Sequence, residues 1–536
     1  MILFYITLVM IILCNIVKGK KALHMLQQNL YNENNRYLKW MWKNKGIFFQ
    51  MDLIPIFLTA YGTFVAFDLS RIGTILLFLC FLIYGVHTLL VYDRIHKENN
   101  KKPLVVTARI KRLILTLIVL YLLPMIPFFW NASSRQTAWM SIFILSLMTS
   151  FHYLIVYLAN IINHPIERMV YHYYRRKAQN KLKSMTNLKV IGITGSYGKT
   201  SSKNILSDIL NIRYIARPTP KNLNTEYGLM ITINQHLDKF DEILIAEMGA
   251  YKKGEIKALC DMVHPQYGIL TKIGTAHLES FGSEANIQSG KFELIESLPL
   301  DGIGILNKDD PKQVSYPLQN KCKILWIGIE NKDVDVRATN IRGSHKGTLF
   351  DVQFKGDKQK YPFETKLLGN HNVYNILAGL ALGREFGICI KDLQQAVKMV
   401  RPVEHRLELK KIGHFYQIDD AYNSNPVGAQ SALEVLAKMP GIKVVVTPGM
   451  VELGEKEVQL NQTFGEKIAE VADYVVLIGK NRTRPIYDGL RKKNYDMEKV
   501  IVYNDVREAY PFVQGLKDKE DVYALFENDL PDTYNE

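Results

Sequence analysis

Cysteine is scarce in this chain: five residues in 536, Cys14, Cys80, Cys260, Cys322 and Cys389, all far apart. No C-x-x-C pair occurs, so neither a zinc site nor a disulfide framework is indicated. The five are expected to be free, buried thiols. An acidic surplus is also missing. Lys and Arg number 67 against 52 Asp and Glu, a formal net charge of +15. The basic residues gather in short loops beside apolar runs and form no basic face interleaved with aromatics, which argues against nucleic acid as a partner. A cleavable leader is not indicated either. Residues 2–17 are apolar, but Lys18, Lys20 and Lys21 follow them instead of preceding them, and no small-residue cleavage site comes after. The apolar runs lack paired charges, which argues against an ion pump.

What the N-terminal part does have is apolar length. Runs at residues 47–69, 72–92, 113–130 and 139–162 are each long enough to cross a bilayer. The run at residues 2–17 is short for the roughly 20 residues of a span and is read as a retained anchor. Pro55, Pro124 and Pro127 are tolerable in such helices. Lys18, Lys20, Lys21, Arg36, Lys39, Lys43 and Lys45 follow the first run. Arg94, Lys97, Lys101, Lys102, Arg109, Lys111 and Arg112 follow the third. The other two loops hold only Arg71 and Arg135. The positive-inside rule then places the N-terminus outside and everything after the last run in the cytoplasm. Residues 1–165 are therefore expected to be a transmembrane domain of about five helices. Residues 166–187 form a basic linker rich in tyrosine (Tyr171, Tyr173, Tyr174). That linker reads equally well as a contact for anionic headgroups or as a plain topology signal.

From Leu188 onward, strand-like and helix-like stretches alternate, as in a mainly parallel sheet covered by helices. The first strand ends in Thr194-Gly195-Ser196-Tyr197-Gly198-Lys199-Thr200-Ser201. A helical pattern follows, with Ile205, Leu206, Ile209 and Leu210 on one face. Strand, glycine turn, helix is the setting of a phosphate-binding loop. Glycines let backbone N–H groups converge on phosphate oxygens, and the helix N-terminus adds its positive dipole end. Lys199 would neutralise the β/γ-phosphates and the Thr200 hydroxyl would reach Mg²⁺. The strict G-x-x-x-x-G-K-[ST] pattern is missed, because position 193 is Ile; the match is to T-G-S-x-G-K-T.

That variant resembles the ATP loop of the Mur ligase family, and further stretches are similar to its D-alanyl-D-alanine-adding branch. They begin with Thr219-Pro220-Lys221-Asn222-Leu223-Asn224-Thr225-Glu226-Tyr227-Gly228. Glu247, at the end of a buried strand, matches the family's metal-binding glutamate, at a place where Mg²⁺ is commonly held. In Ile273-Gly274-Thr275-Ala276-His277-Leu278-Glu279, His277 takes the place of a metal-binding histidine. In Ser289-Gly290-Lys291-Phe292-Glu293, Lys291 matches a lysine whose carbamylation turns an ammonium into a carboxylate-like metal ligand. The segment around Asn307 resembles the family's L-N-x-D-D stretch at the nucleotide. Gly369-Asn370-His371-Asn372-Val373-Tyr374-Asn375 resembles its G-x-H-N-x-x-N stretch near the adenine, although capping alone would explain Asn372.

Further on, Arg401-Pro402-Val403-Glu404-His405-Arg406 looks like the family's interdomain hinge, with Arg406 as its arginine. Asp419-Asp420-Ala421-Tyr422-Asn423-Ser424-Asn425-Pro426 resembles the D-x-Y-N-[AS]-N-P signature. Pro448-Gly449-Met450-Val451-Glu452-Leu453-Gly454-Glu455 resembles D-M-x-E-L-G-E with an altered start. The resemblance implies an α/β architecture: a P-loop parallel-sheet ATPase domain over residues 188–400 and a Rossmann-like C-terminal domain over residues 401–536. It also implies ATP-dependent amide-bond formation through an acyl phosphate. ATP and two Mg²⁺ would bind at Thr194, Gly195, Ser196, Tyr197, Gly198, Lys199, Thr200, Ser201, Asn307, His371, Asn372, Arg406 and Asp420. The metals would be held by Thr200, Glu247, His277 and carbamylated Lys291.

Two departures fall on substrate recognition. Membrane helices stand where the family's UDP-sugar domain would be. The stretch Leu525-Phe526-Glu527-Asn528-Asp529-Leu530-Pro531-Asp532 stands where the family has a Lys-Gly-Ser-Arg-like turn. Same chemistry on a different acceptor is the expectation: a lipid-linked envelope precursor, with an amino acid or short peptide as the amine and membrane lipid as a neighbour. The rivals are a polyglutamate-capsule-like synthetase, a non-catalytic nucleotide sensor or scaffold, and an ATP-driven transporter.

Overall fold

A computed structural model of the chain describes residues 2–44, 53–64, 70–97, 103–130, 135–275, 278–421, 425–451, 453–516 and 521–528. The chain divides into two compact units, Met1–Tyr173 and Tyr174–Glu536.

The first unit is helical. Among the described residues, three helices are long and apolar enough to cross a bilayer: Ile2–Gln28, Arg71–Asp93 and Ala108–Trp130. The first differs from the expectation of a short anchor. Its helix runs on through Lys18, Lys20 and Lys21 for 27 residues, because nothing in that stretch breaks a helix. The run at residues 47–69 appears as the 12-residue helix Leu53–Phe64, the remainder lying outside the described residues. The run at residues 139–162 is not one straight span. It is split between Arg135–Ser150 and His152–Ser184, which meet at an angle of 86°. Residues 131–134, in the loop before it, are outside the described residues.

The second unit holds two sheets. The larger contains β1 (Lys189–Thr194), β2 (Ala216–Pro218), β3 (Ile243–Glu247), β4 (Tyr267–Leu270), β5 (Ile303–Asn307), β6 (Lys323–Gly328), β7 (Val336–Ser344), β8 (Gly347–Phe354) and β9 (Tyr361–Thr365). Their spatial order is β2-β3-β1-β4-β5-β6-β7-β8-β9. Strands β1 to β7 pair parallel; β8 pairs antiparallel with both β7 and β9. The mainly parallel expectation is thus met by a mixed sheet. The reason lies in burial. β1 and β3 are buried on both faces, whereas β7 alternates buried and half-exposed positions, as a strand with one wet face does. The chain leaves β1 toward one edge and returns from β3 to β4 on the other side. The C-terminal end of β1 is therefore a topological switch point, where open α/β sheets bind ligands.

The smaller sheet contains β10 (Glu408–Ile412), β11 (Phe415–Asp420), β12 (Ile442–Thr447), β13 (Tyr474–Ile478), β14 (Val500–Tyr503) and β15 (Val522–Glu527). Their order is β10-β11-β15-β12-β13-β14. Apolar cores cover it on both faces, one around Leu433, Val445 and Leu525 and the other around Phe415, Val444 and Ala524. All five cysteines are free, and four are buried as expected. Cys389 is exposed, since it holds the N-cap position just outside the helix Ile390–Met399.

Candidate functional site

The loop from β1 to the helix Lys199–Leu210 turns on two glycines. Gly195 has φ 151° and Gly198 has φ 82°, conformations that side chains avoid. A Cβ at Gly195 would also lie 1.9 Å from Thr271 Oγ1. That hydroxyl donates to Tyr197 O at 2.7 Å, with Thr194 O 3.1 Å away. Thr194 in turn donates its hydroxyl to Met248 O, 2.9 Å. The N–H groups of Ser196 and Tyr197 both donate to Lys272 O, at 2.9 and 3.3 Å. Those two N–H groups are therefore spent on the protein. The groups left for an anion are in the first helical turn, from Gly198 to Ser201, where no intrahelical acceptor exists.

Lys199 folds back on this loop, donating to Gly195 O at 2.8 Å, with Ser196 O 3.4 Å away. Burial lowers its pKa; Glu247 opposes that and Arg406 adds to it. At the next residue of the same helix, Thr200 Oγ1 donates to Glu247 Oε1 at 3.1 Å. Asn224 Nδ2 reaches the same oxygen at 3.0 Å. Lys203 Nζ sits 3.0 Å from Glu247 Oε2, both side chains only 1% exposed. The contact lacks hydrogen-bond direction and leaves Oε2 without a directed donor. The same ammonium also donates to Lys221 O, 2.5 Å away. A buried carboxylate with one undirected oxygen beside a hydroxyl is a hard-oxygen donor set, and it fits Mg²⁺.

Lys291 lies in the helix Glu284–Glu296, 1% exposed. Its Nζ donates to Ala250 O at 3.2 Å and stands 5.2 Å from the centre of the Phe281 ring. Burial and the Lys199 charge push its pKa down to about 7, against Glu255 and Glu293. His277 lies outside the described residues, as does the side chain of Glu279. Among the described residues, no three His, Cys, Asp or Glu side chains gather as a metal site.

The helix Asn370–Glu385 brings its N-terminus against the loop: Asn375 Oδ1 is 3.7 Å from where a Gly198 Cβ would be. His371 Nδ1 is buried with no hydrogen-bond partner. Burial, and then the Arg406 charge, push this imidazole down to about 4, so it is neutral. Asn372 is not a capping acceptor. Its Nδ2 donates to Leu368 O at 2.9 Å, and the N-cap position belongs to Gly369. Asn307 Oδ1 accepts the Asp309 N–H at 2.9 Å. Asp309 accepts from the N–H groups of Ile329, Glu330 and Asn331 and from Tyr374 Oη, 2.8 Å. Burial pushes Asp309 up, but these four donors outweigh it and hold the carboxyl below its usual range. The loop carrying Asn307 is thereby tied to the helix carrying His371.

Arg406 sits among Lys199, His371 and Asp420, each of which feels its charge. Asp420 accepts the Leu407 N–H at 3.2 Å. It is the register partner of Glu527 at the ends of β11 and β15. Burial pushes Asp420 up to about 6; Arg406, the Leu407 N–H and a hydrogen bond with Glu527 oppose this. Tyr422, Asn423, Ser424, Glu452, Asp529 and Asp532 lie outside the described residues. A cleft of ≈ 650 Å³ runs between the helix Lys199–Leu210 and residues 401–406, lined among others by Thr200, Lys203, Lys221 and Arg406. Arg401 closes one end on Asp208, 2.9 Å.

The sequence reading passed over Lys203 and gave Asn224 no role, although both hold Glu247. The signal for Lys203 was there. Positions 203, 206 and 210 share one helical face, so Lys203 stands in line with Leu206 and Leu210 and needs a buried partner. Removing one member of a buried ion pair typically costs about 3–5 kcal/mol. Lys203→Met is therefore expected to lower the thermal midpoint of the full chain in detergent clearly, with Lys203→Arg keeping more of it. An unchanged midpoint in Lys203→Met would show that the pair contributes nothing.

Comparison with known proteins agrees with this geometry. Residues 193–383 match the Mur ligase middle domain, and residues 405–526 match the Mur ligase glutamate ligase domain. The chain is 31% identical over 339 residues to the UDP-N-acetylmuramoyl-tripeptide–D-alanyl-D-alanine ligase of Bacillus subtilis, covering 62% of this chain and 72% of that protein. It is 31% identical over 295 residues to the Escherichia coli protein of the same name, covering 54% and 65%. A crystal structure of MurF from Acinetobacter baumannii superposes with a TM-score of 0.60 at 26% identity, over 67% of this chain and 77% of that one. MurF ligase from Thermotoga maritima in complex with ADP gives 0.59 at 26%, over 67% and 80%.

Proposed function

Because the chain belongs to the Mur ligase family of ATP-dependent acid–amino-acid ligases, we propose that it is a membrane-bound ligase acting on a cell-envelope substrate. It activates a carboxylate as an acyl phosphate and couples it to an amino acid or short peptide amine. The acceptor is lipid-linked, and the ligase half faces the cytoplasm. The observation that carries the reading is the Thr200–Glu247 hydrogen bond at the switch point, with Lys199 one residue away on the phosphate loop.

Each residue has a definable task. Lys199 leaves Gly195 O for the phosphate oxygens, and an arriving anion offsets the burial that lowers its pKa. The free N–H groups of the first helical turn orient the same phosphates. Thr200 and Glu247 would hold Mg²⁺, with His277 and a Lys291 carbamate as candidates for a second site. Bound there, the metal supplies charge neutralisation and in-line orientation for phosphoryl transfer. Asn224 and Lys203 keep the Glu247 carboxylate aimed. Movement about residues 401–406 closes the cleft, excludes water and brings in the amine. Glu527 and Asp420 offer that amine a buried carboxyl pair at the strand ends. The retained set of Lys199, Glu247 and Lys291 favours catalysis over a sensor, which has no use for second-metal ligands.

The test incubates detergent-solubilised protein with ATP and pools of envelope precursors and amino acids. A new amide in the mass spectrum, with phosphate release that depends on the amine, is the expected result. Phosphate release indifferent to every amine would sink the ligase reading.

A further inference from the structure

The helix His152–Ser184 has two faces. Tyr153, Val156, Ala159, Asn160 and Asn163 are buried. Tyr153, Val156 and Ala159 pack in the cluster formed with Tyr37, Ile110 and Leu113; Asn163 Nδ2 donates to Thr116 Oγ1 at 2.7 Å and Asn160 Nδ2 to Tyr31 O at 3.1 Å. The other face carries Leu158, Ile162, Ile166, Met169 and Tyr173, all exposed, with Met169 at 72% and Tyr173 at 62%. Steps of four, four, three and four residues keep these five on one stripe. Arg176, Lys177 and Lys183, also exposed, continue toward the C-terminus.

The direction of this helix is fixed by the bend before it. At 86° to Arg135–Ser150, it cannot continue the path of that helix. The bend is built in, because the carbonyls it frees have donors from other helices. Tyr121 Oη donates to Met148 O at 3.2 Å and Lys18 Nζ to Thr149 O at 3.1 Å. Asn15 ties both sides of the break together, with Nδ2 on Thr149 Oγ1 at 2.8 Å and Oδ1 2.9 Å from His152 Nδ1. Sharp bends of this kind need such substitute donors.

We infer that the helix His152–Ser184 lies in the plane of the membrane surface and docks its apolar stripe on an anionic lipid leaflet. The inference rests on the membrane-bound reading above and names the surface that meets lipid. An apolar stripe beside cationic side chains is the pattern of an interfacial helix, which sinks about 5–10 Å below the headgroups. The excess of Arg and Lys over acidic residues beyond Tyr173 selects negatively charged lipid. The two carboxylates within reach are already engaged: Glu167 by Arg112 at 2.7 Å and Glu226 by Arg175 at 3.5 Å.

The experiment uses the full chain in nanodiscs of phosphatidylcholine alone, or mixed with an equal amount of phosphatidylglycerol. Cys389 is replaced by Ser, and single spin labels are placed at positions 158, 162, 166, 169 and 173. Their depths are read from oxygen and nickel-chelate accessibility. All five labels at one shallow depth, deeper in the mixed discs, is the expected result. Depths that climb by about 1.5 Å per residue would mean that the helix crosses the bilayer, and five water-exposed labels would mean that it touches no lipid; either overturns the inference. Equal depths in both lipids would overturn the anionic preference. Carbonate extraction of the same protein keeps the two readings apart. A chain that washes off the membrane removes the membrane-bound reading itself, whereas an embedded chain with climbing depths removes only the in-plane helix.

Discussion

Lys199→Ala is expected to abolish ATP turnover while the protein stays folded. Two observations set the size and the asymmetry of the effect. The ammonium's hydrogen bonds go to its own loop, Gly195 O and Ser196 O, so the substitution breaks no hydrogen bond to another element. Burial lowers its pKa, so the charged form is disfavoured in the absence of an anion, and the fold is expected to tolerate its loss. With a nucleotide in place, the same charge sits where negative charge spreads during phosphoryl transfer. Removing one preorganised charge-stabilising donor from such a site costs about 10²–10³ in turnover. Phosphate release measured beside a thermal midpoint checks both halves of the prediction. Wild-type turnover in the variant would remove the phosphate-loop assignment.

The parts of the site that were legible in the sequence are those fixed by local rules. A strand, two turn glycines and a helix place Lys199 and Thr200 with no knowledge of the rest of the chain. A carboxylate at the end of the next buried strand places Glu247 beside them. What escaped depends on contacts between distant segments. Lys203 lines up with Leu206 and Leu210 on its helix, but its partner is set by β1–β3 register. Asp420 and Glu527 become neighbours only because β15 inserts between β11 and β12. Asn307 and Asp309 read as nucleotide contacts, yet their hydrogen bonds go largely to the backbone around them. The break at Phe151 is the clearest case. Nothing in the apolar run of residues 139–162 marks it, since the donors that permit it, Lys18 and Tyr121, belong to other helices. The turn from β7 to β8 has a local signal, Gly343 to Gly347 between alternating runs, which a mainly parallel expectation left without a place.

Lys291→Arg is expected to lose nearly all activity, and the reason separates a carbamate from an ordinary lysine. Carbamylation needs a neutral amine, whose lone pair adds to CO₂ and which then gives up a proton, leaving a negative group with two oxygen donors. An exposed lysine is almost never neutral near pH 7. Lys291 is pushed down to about 7 by burial and by Lys199, which puts a large neutral fraction within reach. A guanidinium stays charged and cannot react this way. The fall should exceed the about 10–100-fold lost when groups that merely support a metal ligand are changed. Arginine is also larger, and the site is 1% exposed, so a folding defect has to be separated from lost chemistry. Lys291→Ala does that. It leaves a cavity, and a small carboxylate such as acetate should enter it and restore part of the activity, which a misfolded protein would not allow. A carbamate carbon signal from ¹³C-labelled bicarbonate should appear in the wild-type protein and be missing in both variants. Full rate in Lys291→Arg, or a wild-type protein without the labelled signal at saturating bicarbonate, would rule the carbamate out and leave Lys291 as a buried cation held by Ala250 O.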